Sequence, residues 1–380
     1  MTIVATPRVV VDIDRQLVEP QHTTILDDPA PYTYLVEDIL NRRVIGELPL
    51  HAVTYDDYLR RPGSLKGSLP LDAADPQMID PGRWAIYAQR GTSIEWGGRL
   101  QTASVALGAE TVDVTAEGWL GYWDHRDIWT DRQFAATDQF TIFAALVADA
   151  QDVMLAGPGA DLGITVTWDA LSGVLRDRLQ EYRAFSGKNL GQALRDLGAL
   201  IGGFDYAMEY AIVGDQIVKT IRLFHPTKGT DRGHLFEYQR GARTNILRRG
   251  LTVDASNMAW RIRGWGAGAD TSRLLSEQTT EARRGVYPIT DTQANLSSVV
   301  EQGTLADGTA AQLARSDHPT VLPTIEVDPD LDPVWGTYGT GDTVHVRIDD
   351  GYASTDAAHR ILGYKMDADR DRPTLLLEAV

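Results

Sequence analysis

The chain has 380 residues, with 36 Lys and Arg against 53 Asp and Glu, giving a formal charge of −17. With no Cys it can form no disulfide framework, thiolate metal site, Cys nucleophile or CxxC redox pair, and its excess of carboxylates argues against a general nucleic-acid or anionic-membrane binder. A composition 43% hydrophobic and 23% charged excludes wholesale disorder and, at roughly 150 residues per domain, predicts two or three domains with a real core.

The opening residues, MTIVATPRVVVDIDRQLVEPQ, carry Asp12 and Asp14 and lack the apolar run after a basic start that a secretion signal needs. No window approaches the roughly 18 apolar residues of a membrane span, so a soluble protein is expected. From Ile25 to Gln133 the pattern is mostly of short strands. Leu48, Leu50, Ala52 and Thr54 alternate against Pro49, His51 and Val53; because Pro49 removes a ladder hydrogen bond, an edge strand or a bulged one is predicted. A hairpin follows. Trp84, Ile86 and Ala88 alternate before the turn Arg90-Gly91-Thr92, Ile94 and Trp96 alternate after it, and Gly97-Gly98 is read as the end of the second arm. Val112 to Leu120 is a further alternating strand with Gly118 as a bulge or bend.

Helical spacing first appears at Asp138. With Thr137 or Asp138 as N-cap, Phe140, Phe143, Ala144, Val147 and Ala150 share one face. A second helix is capped by Asn189, with Gln192 three residues on; Leu190, Ala193, Leu194, Leu197, Leu200 and Ile201 form its stripe, and Gly202-Gly203 ends it. Between the two, Asp169 to Phe185 is ambiguous, although Leu175, Leu179 and Tyr182 suit a short helix. Strands resume at Tyr206 to Tyr210 and Gln216 to Leu223, around a turn at Val213 to Gln216, and continue at Asn245 to Val253 and Met258 to Gly264. A polar stretch from Asp270 to Glu301 leads to a short helix at Asp307 to Ser316. From Val321 strands dominate again, at Thr343 to Ile348, Arg360 to Met366 and Thr374 to Ala379. The expected fold is α+β, β-rich and multidomain, with two barrel-like β domains and a helical or mixed insertion. Its expected parts are an N-terminal extension (1–24), a barrel-like domain (25–137), the insertion (138–205), β strands (206–268), a connecting segment (269–320) and a C-terminal barrel-like domain (321–380).

Motifs for chemistry do not assemble. Gly157-Pro158-Gly159 lacks a third glycine at Leu162, Gly264-Trp265-Gly266-Ala267-Gly268 ends in Ala269 without an apolar helix behind it, and Gly187-Lys188 is followed by Asn189 rather than Ser or Thr. The eight His form no HExxH or HxH pattern. Asp328, Asp330 and Asp332 alternate as an EF-hand loop begins, but Pro333 stands where Gly is needed and Gly339 where the bidentate Glu is needed; a solvated acidic turn is preferred to an irregular calcium loop. Gly91-Thr92-Ser93-Ile94-Glu95 lacks the last glycine of a nucleophile elbow. No catalytic, cofactor-binding or metal residue is therefore assigned. The crowding of Trp119, Trp123 and Trp129 with Tyr122 suggests either a sugar-stacking or subunit surface or, more simply, a β-rich core.

Several segments in order resemble the central hub of long-tailed bacteriophage tails, the tail-associated minor tail proteins related to contractile-tail baseplate hubs. They are Leu48-Pro49-Leu50, the hairpin from Trp84 to Leu100, VDVTAEGWLGYWDHRDI from Val112 to Ile128, the helix from Asp138 to Gln151, and the helix-to-strand run from Leu190 to Tyr210. NMAWRIRGWGAG from Asn257 to Gly268 and the closing GDTVHVRI and HRILGYKM complete them. The resemblance spans about residues 25 to 380. It implies a non-enzymatic, cofactor-free homotrimer at the virion tail tip, assembled in the host cytoplasm, with two barrel-like domains per subunit in a pseudo-sixfold ring. It also implies neighbours: a distal tail ring, a tape-measure protein, and tip or fibre proteins, with DNA passing through a gated channel without specific binding. Some relatives append a lysin or fibre domain; with the last predicted strand reaching Ala379, no such activity is expected here. The alternatives are a carbohydrate- or receptor-binding tail module resting on the Trp cluster, and a cell-wall polysaccharide hydrolase using a carboxylate pair.

Overall fold

Strands from the two ends of the chain lie side by side in one sheet. The computed structural model describes residues 32–380 apart from 76, 177–179, 201, 243, 282–284, 297, 298, 300, 352 and 353, so the extension of residues 1–24, Leu179 and Ile201 lie outside the described residues. In chain order, β1 (Tyr32–Asp38), β2 (Arg43–Glu47), β3 (His51–Tyr58), β4 (Ser64–Pro70), β5 (Trp84–Arg90), β6 (Ser93–Ser104) and β7 (Thr111–Gly118) come first. The mixed stretch that follows holds α1 (Trp119–Tyr122), β8 (Arg132–Phe134), β9 (Thr137–Asp138), α2 (Gln139–Gln151), α3 (Val153–Ala156), β10 (Ile164–Thr167), β11 (Leu175–Arg176), β12 (Gln180–Tyr182) and α4 (Leu190–Ala199). Then come β13 (Asp205–Val213), β14 (Gln216–Phe224), β15 (Asp231–Gln239), β16 (Ile246–Asp254), β17 (Arg261–Trp265), β18 (Leu275–Thr279), β19 (Asp291–Asn295) and α5 (Gln302–Ser316). The chain closes with β20 (Thr320–Val327), β21 (Thr343–Asp349), β22 (Thr355–Asp367) and β23 (Arg372–Ala379).

The large sheet has 13 strands, in the order β16-β20-β23-β22-β3-β4-β7-β6-β5-β1-β2, with β21 pairing β22 and β15 pairing β21. The strand β22 makes the junction: its first half pairs β21, from Thr355↔Ile348 to Arg360↔Thr343, and its second half pairs β3, from Gly363↔Tyr58 to Asp367↔Thr54. The expected β-rich character holds, but no closed barrel is found among the described residues. The strands expected in two separate barrel-like domains share this sheet and one apolar core, in which Val36, Val53, Trp84 and Leu100 cluster with Phe236, Val346, Ile361 and Leu375.

A second core lies on the other face of β1 and β5, where Leu35, Ala85 and Tyr87 pack with Trp119, Trp123, Phe140, Phe143, Leu194 and Phe204. Both faces of β5 are therefore buried, Trp84, Ile86 and Ala88 in the first core and Ala85 and Tyr87 in the second. The helices form as their caps predict. The Asp138 carboxylate accepts from the Phe140 N–H at 2.9 Å and the Asn189 side chain from the Gln192 N–H at 3.0 Å, and the buried faces are Phe140, Phe143 and Val147, and Leu190, Ala193, Leu194 and Leu197.

Other local readings change. The strand after Pro49 is internal, between β22 and β4, and the bulge expected of it is present, with Ala52 at φ 51° and a register shift between His51 and Thr54. The strand β6 runs through Gly97-Gly98 rather than stopping there. A Cβ at Gly97 would lie 2.3 Å from the Tyr87 ring and one at Gly98 2.2 Å from the Glu117 carbonyl oxygen, so these glycines permit close packing across the sheet. The strand β7 ends at Gly118, and Trp119 and Leu120 begin a helix. In place of a helix at Asp169 to Phe185, Leu175 pairs with Asp138 and Tyr182 with Arg132, because extended partners overrule a weak helical preference.

A smaller unit is inserted at the end of the β16–β20 pair, where Asp254 opposes Thr320. Its sheet, β18-β17-β19, is covered by α5 over a small core of Ala259, Ile262, Ala294 and Leu313. Among the described residues no helix is long and apolar enough to cross a membrane.

Candidate functional site

Two buried polar networks fasten the small sheet β10-β14-β13 to the large sheet. In the first, Lys219 on β14 donates from Nζ to both carboxylate oxygens of Glu37 on β1, at 2.7 and 2.9 Å. The Tyr87 hydroxyl on β5 donates to Glu37 Oε2 at 2.5 Å and accepts from Trp119 Nε1 at 3.0 Å, and the ammonium sits 5.0 Å from the centre of the Trp119 ring. Burial pushes the Lys219 ammonium down and the neighbouring Glu37 carboxylate opposes it; burial raises the Tyr87 phenol well above its usual range. Every polar atom in this cluster has a partner, so it holds elements together rather than offering a reactive group.

The second network centres on Asp205, at the start of β13. Its carboxylate accepts from the Arg360 guanidinium on β22 and from the Lys228 N–H at 2.9 Å, with Arg60 Nε 3.5 Å away. Lys228 Nζ donates to Thr340 Oγ1 at 2.8 Å. Nearby on β3, the Asp57 carboxyl is pushed up to about 6 by burial, a shift that the Lys228 charge opposes.

The hairpin tip is less exposed than its turn sequence suggests. Arg90 is half-buried and binds Asp371 in a fork, Nε to Oδ1 at 3.0 Å and Nη2 to Oδ2 at 2.5 Å, and the Tyr32 hydroxyl donates to the same carboxylate at 3.2 Å. Only Gly91 and Thr92 of the turn stand in solvent.

The tryptophans part company. Trp119 and Trp123 are each 1% exposed and belong to the second core, whereas Trp129 is 74% exposed beside Leu155 and Ile128. No three-Trp platform exists. The Asp328 carboxylate lies 3.2 Å from Arg372 Nη1 and accepts from the Asp330 N–H, while Asp330 and Asp332 are exposed. Among the described residues no group of three or more His, Cys, Asp or Glu side chains is placed to hold a metal ion.

The glycine-rich stretches serve packing and turns. A Cβ at Gly264 would lie 2.0 Å from Thr309 Oγ1, so that glycine lets α5 sit close on β17; Gly157 and Gly159, at φ 92° and 82°, turn the chain after α3. Lys188 is paired with Asp196 at 2.9 Å, and Ser93 is exposed at the start of β6.

One feature had no sequence signal. A cleft of 1330 Å³ opens between α5 with β19 on one side and the ends of β11 and α4 on the other. Its described walls come from six separated stretches of chain, so no local pattern marks it.

No family model matches the sequence, and no curated protein matches it. Solved structures do match the fold. A tail protein from Neisseria meningitidis MC58 superposes with a TM-score of 0.60 at 13% identity, covering 92% of this chain and 96% of that one. The 43 kDa tail protein of prophage MuSo2 from Shewanella oneidensis gives 0.59 at 11% identity, with 91% and 98% covered. The prophage tail protein gp18 from Listeria monocytogenes EGD-e gives 0.54 at 12%, with 91% and 94% covered. The chain has the fold of phage tail proteins, as the order of its segments suggested; at such identities the likeness is one of fold.

Proposed function

We propose that the chain is a non-enzymatic structural part of a bacteriophage tail tip: a hub whose three copies form a ring that joins the tail tube to tip or fibre proteins and gates the path of DNA. The observation that carries this reading is the match of fold to a tail protein over 92% of this chain and 96% of the other, which leaves little of the chain for an added activity. The open sheet supports it. The strand β16 ends the sheet with Leu247 and Val253 exposed, and such an edge calls for a neighbour that completes its hydrogen bonding. In the ring, the neighbours are the distal tail ring, the tape-measure protein and tip or fibre proteins, and the virion tail tip is the location. Each copy brings a charge of −17; where part of it lines the channel, DNA passes without adhering, since like charges repel.

The test is the mass of the purified chain in solution together with imaging of virions. Three subunits in a ring at the tail tip, with acidic residues along the channel, are expected. A monomer retained on a cell-wall glycan column overturns the hub, and a basic pore wall overturns the role given to the charge.

A further inference from the structure

The cleft between the insertion and the smaller unit gathers three guanidinium groups, those of Arg61, Arg176 and Arg315. Among the described residues lining it the one carboxylate, Asp291, is already held by Arg261, from Nε at 2.7 Å and Nη2 at 2.8 Å. Arg61 and Arg315 are exposed and make no ion pair among the described residues, whereas Arg195 and Arg222 lie 2.7 and 2.6 Å from Asp124 and Asp169. In a chain of formal charge −17, the described lining of this cleft presents two exposed guanidinium groups without a counterion and no free carboxylate, while Arg176 already donates to the Gln139 side chain. Between the guanidinium groups, Leu175 and Leu200 expose apolar surface.

We propose that this cleft receives an extended acidic segment of a partner polypeptide, its carboxylates set against Arg61 and Arg315 and its apolar side chains against Leu175 and Leu200. Size argues for a chain segment: 1330 Å³ exceeds the roughly 300–1,000 Å³ of small-molecule sites. Charge selects its chemistry. A short acidic segment feels the cleft within a screening length of about 10 Å, while a nucleic-acid strand long enough to bind firmly extends past it along a chain whose formal charge is −17. The inference names the chemistry of one partner and rests on the reading above only in placing the chain within an assembly.

The test is fluorescence anisotropy on the full-length chain with a labelled peptide of alternating glutamate and leucine. Saturable binding is expected, weakened about tenfold by Arg61→Glu with Arg315→Glu and less by Arg61→Gln with Arg315→Gln, as two lost exposed charge contacts predict. The matching lysine and leucine peptide is expected not to bind. Circular dichroism of both double variants checks the fold, which these exposed positions should leave intact. Absence of saturable binding, equal binding by the double reversal, or equal competition by single-stranded oligothymidine each overturns the proposal. Because the readout is the isolated chain, these results are independent of whether it enters a virion.

Discussion

Lys219 and Glu37, 182 residues apart in the chain, form an ion pair sealed from solvent, with Nζ 2.7 Å from Oε1. Through it, β14, which pairs with β10 of the insertion, grips β1 of the large sheet, and the Tyr87 and Trp119 side chains complete the enclosure.

Breaking that pair from one side leaves a buried charge without its counterion. Lys219→Met is expected to lower stability by about 3–5 kcal/mol, and adding Glu37→Leu to recover more than half of the loss, since an apolar pair needs no solvation. Urea denaturation of both variants decides; a single-variant loss below about 1 kcal/mol, the range of exposed pairs, rules out the pair as the fastening.

Gly98→Ala brings a methyl group to 2.2 Å from the Glu117 carbonyl oxygen, where backbone rather than a movable side chain must yield. A loss of about 2 kcal/mol or more is expected, at the upper end of overpacking. At Gly336, where nothing lies within 4 Å but φ is 96°, alanine should lose only about 1 kcal/mol of backbone strain. Thermal melts that rank the two the other way would contradict the close approach seen at Gly98.

The three crowded tryptophans separate by one measurement. Trp123→Ala empties part of the second core and should lower stability by about 3–5 kcal/mol, while Trp129→Ala should change it by no more than about 0.5 kcal/mol. Equal losses would place Trp129 in the core.

Asp57 gives the fold a pH dependence with a definite sign. Its carboxyl is raised from 3.8 to about 6, so between those values the folded chain binds more protons than the unfolded one, and its contribution to stability falls as pH rises through that window. Asp57→Asn should stabilise the protein at pH 7 by roughly 1–2 kcal/mol and flatten the stability profile between about pH 4 and 6. An unchanged profile would show that another group carries the slope.

Much of the local structure is legible in the sequence because its causes are local. Asp138 and Asn189 cap the helices they were expected to cap, Gly91 turns the hairpin at φ 58°, and Gly214 turns β13 into β14 at φ 65°. Gly97-Gly98 reads as a strand end only because the groups that need the space, the Tyr87 ring and the Glu117 carbonyl, lie on other strands. The Trp cluster is ambiguous for the same reason: spacing from Trp119 to Trp129 does not tell which rings join the second core and which meets water.

Composition alone determined that no thiol chemistry occurs and that carboxylates outnumber the basic side chains, and hydrophobic spacing determined a β-rich chain with a helical interruption. Tertiary structure decided that the two β-rich ends are one sheet, because the pairing of Tyr58 with Gly363 joins segments from opposite ends of the chain. It decided equally that Glu37 and Lys219 are buried together and that Arg61 and Arg315 share a cleft. Alternation and capping report on neighbours a few residues away, whereas these contacts arise only when separate elements pack.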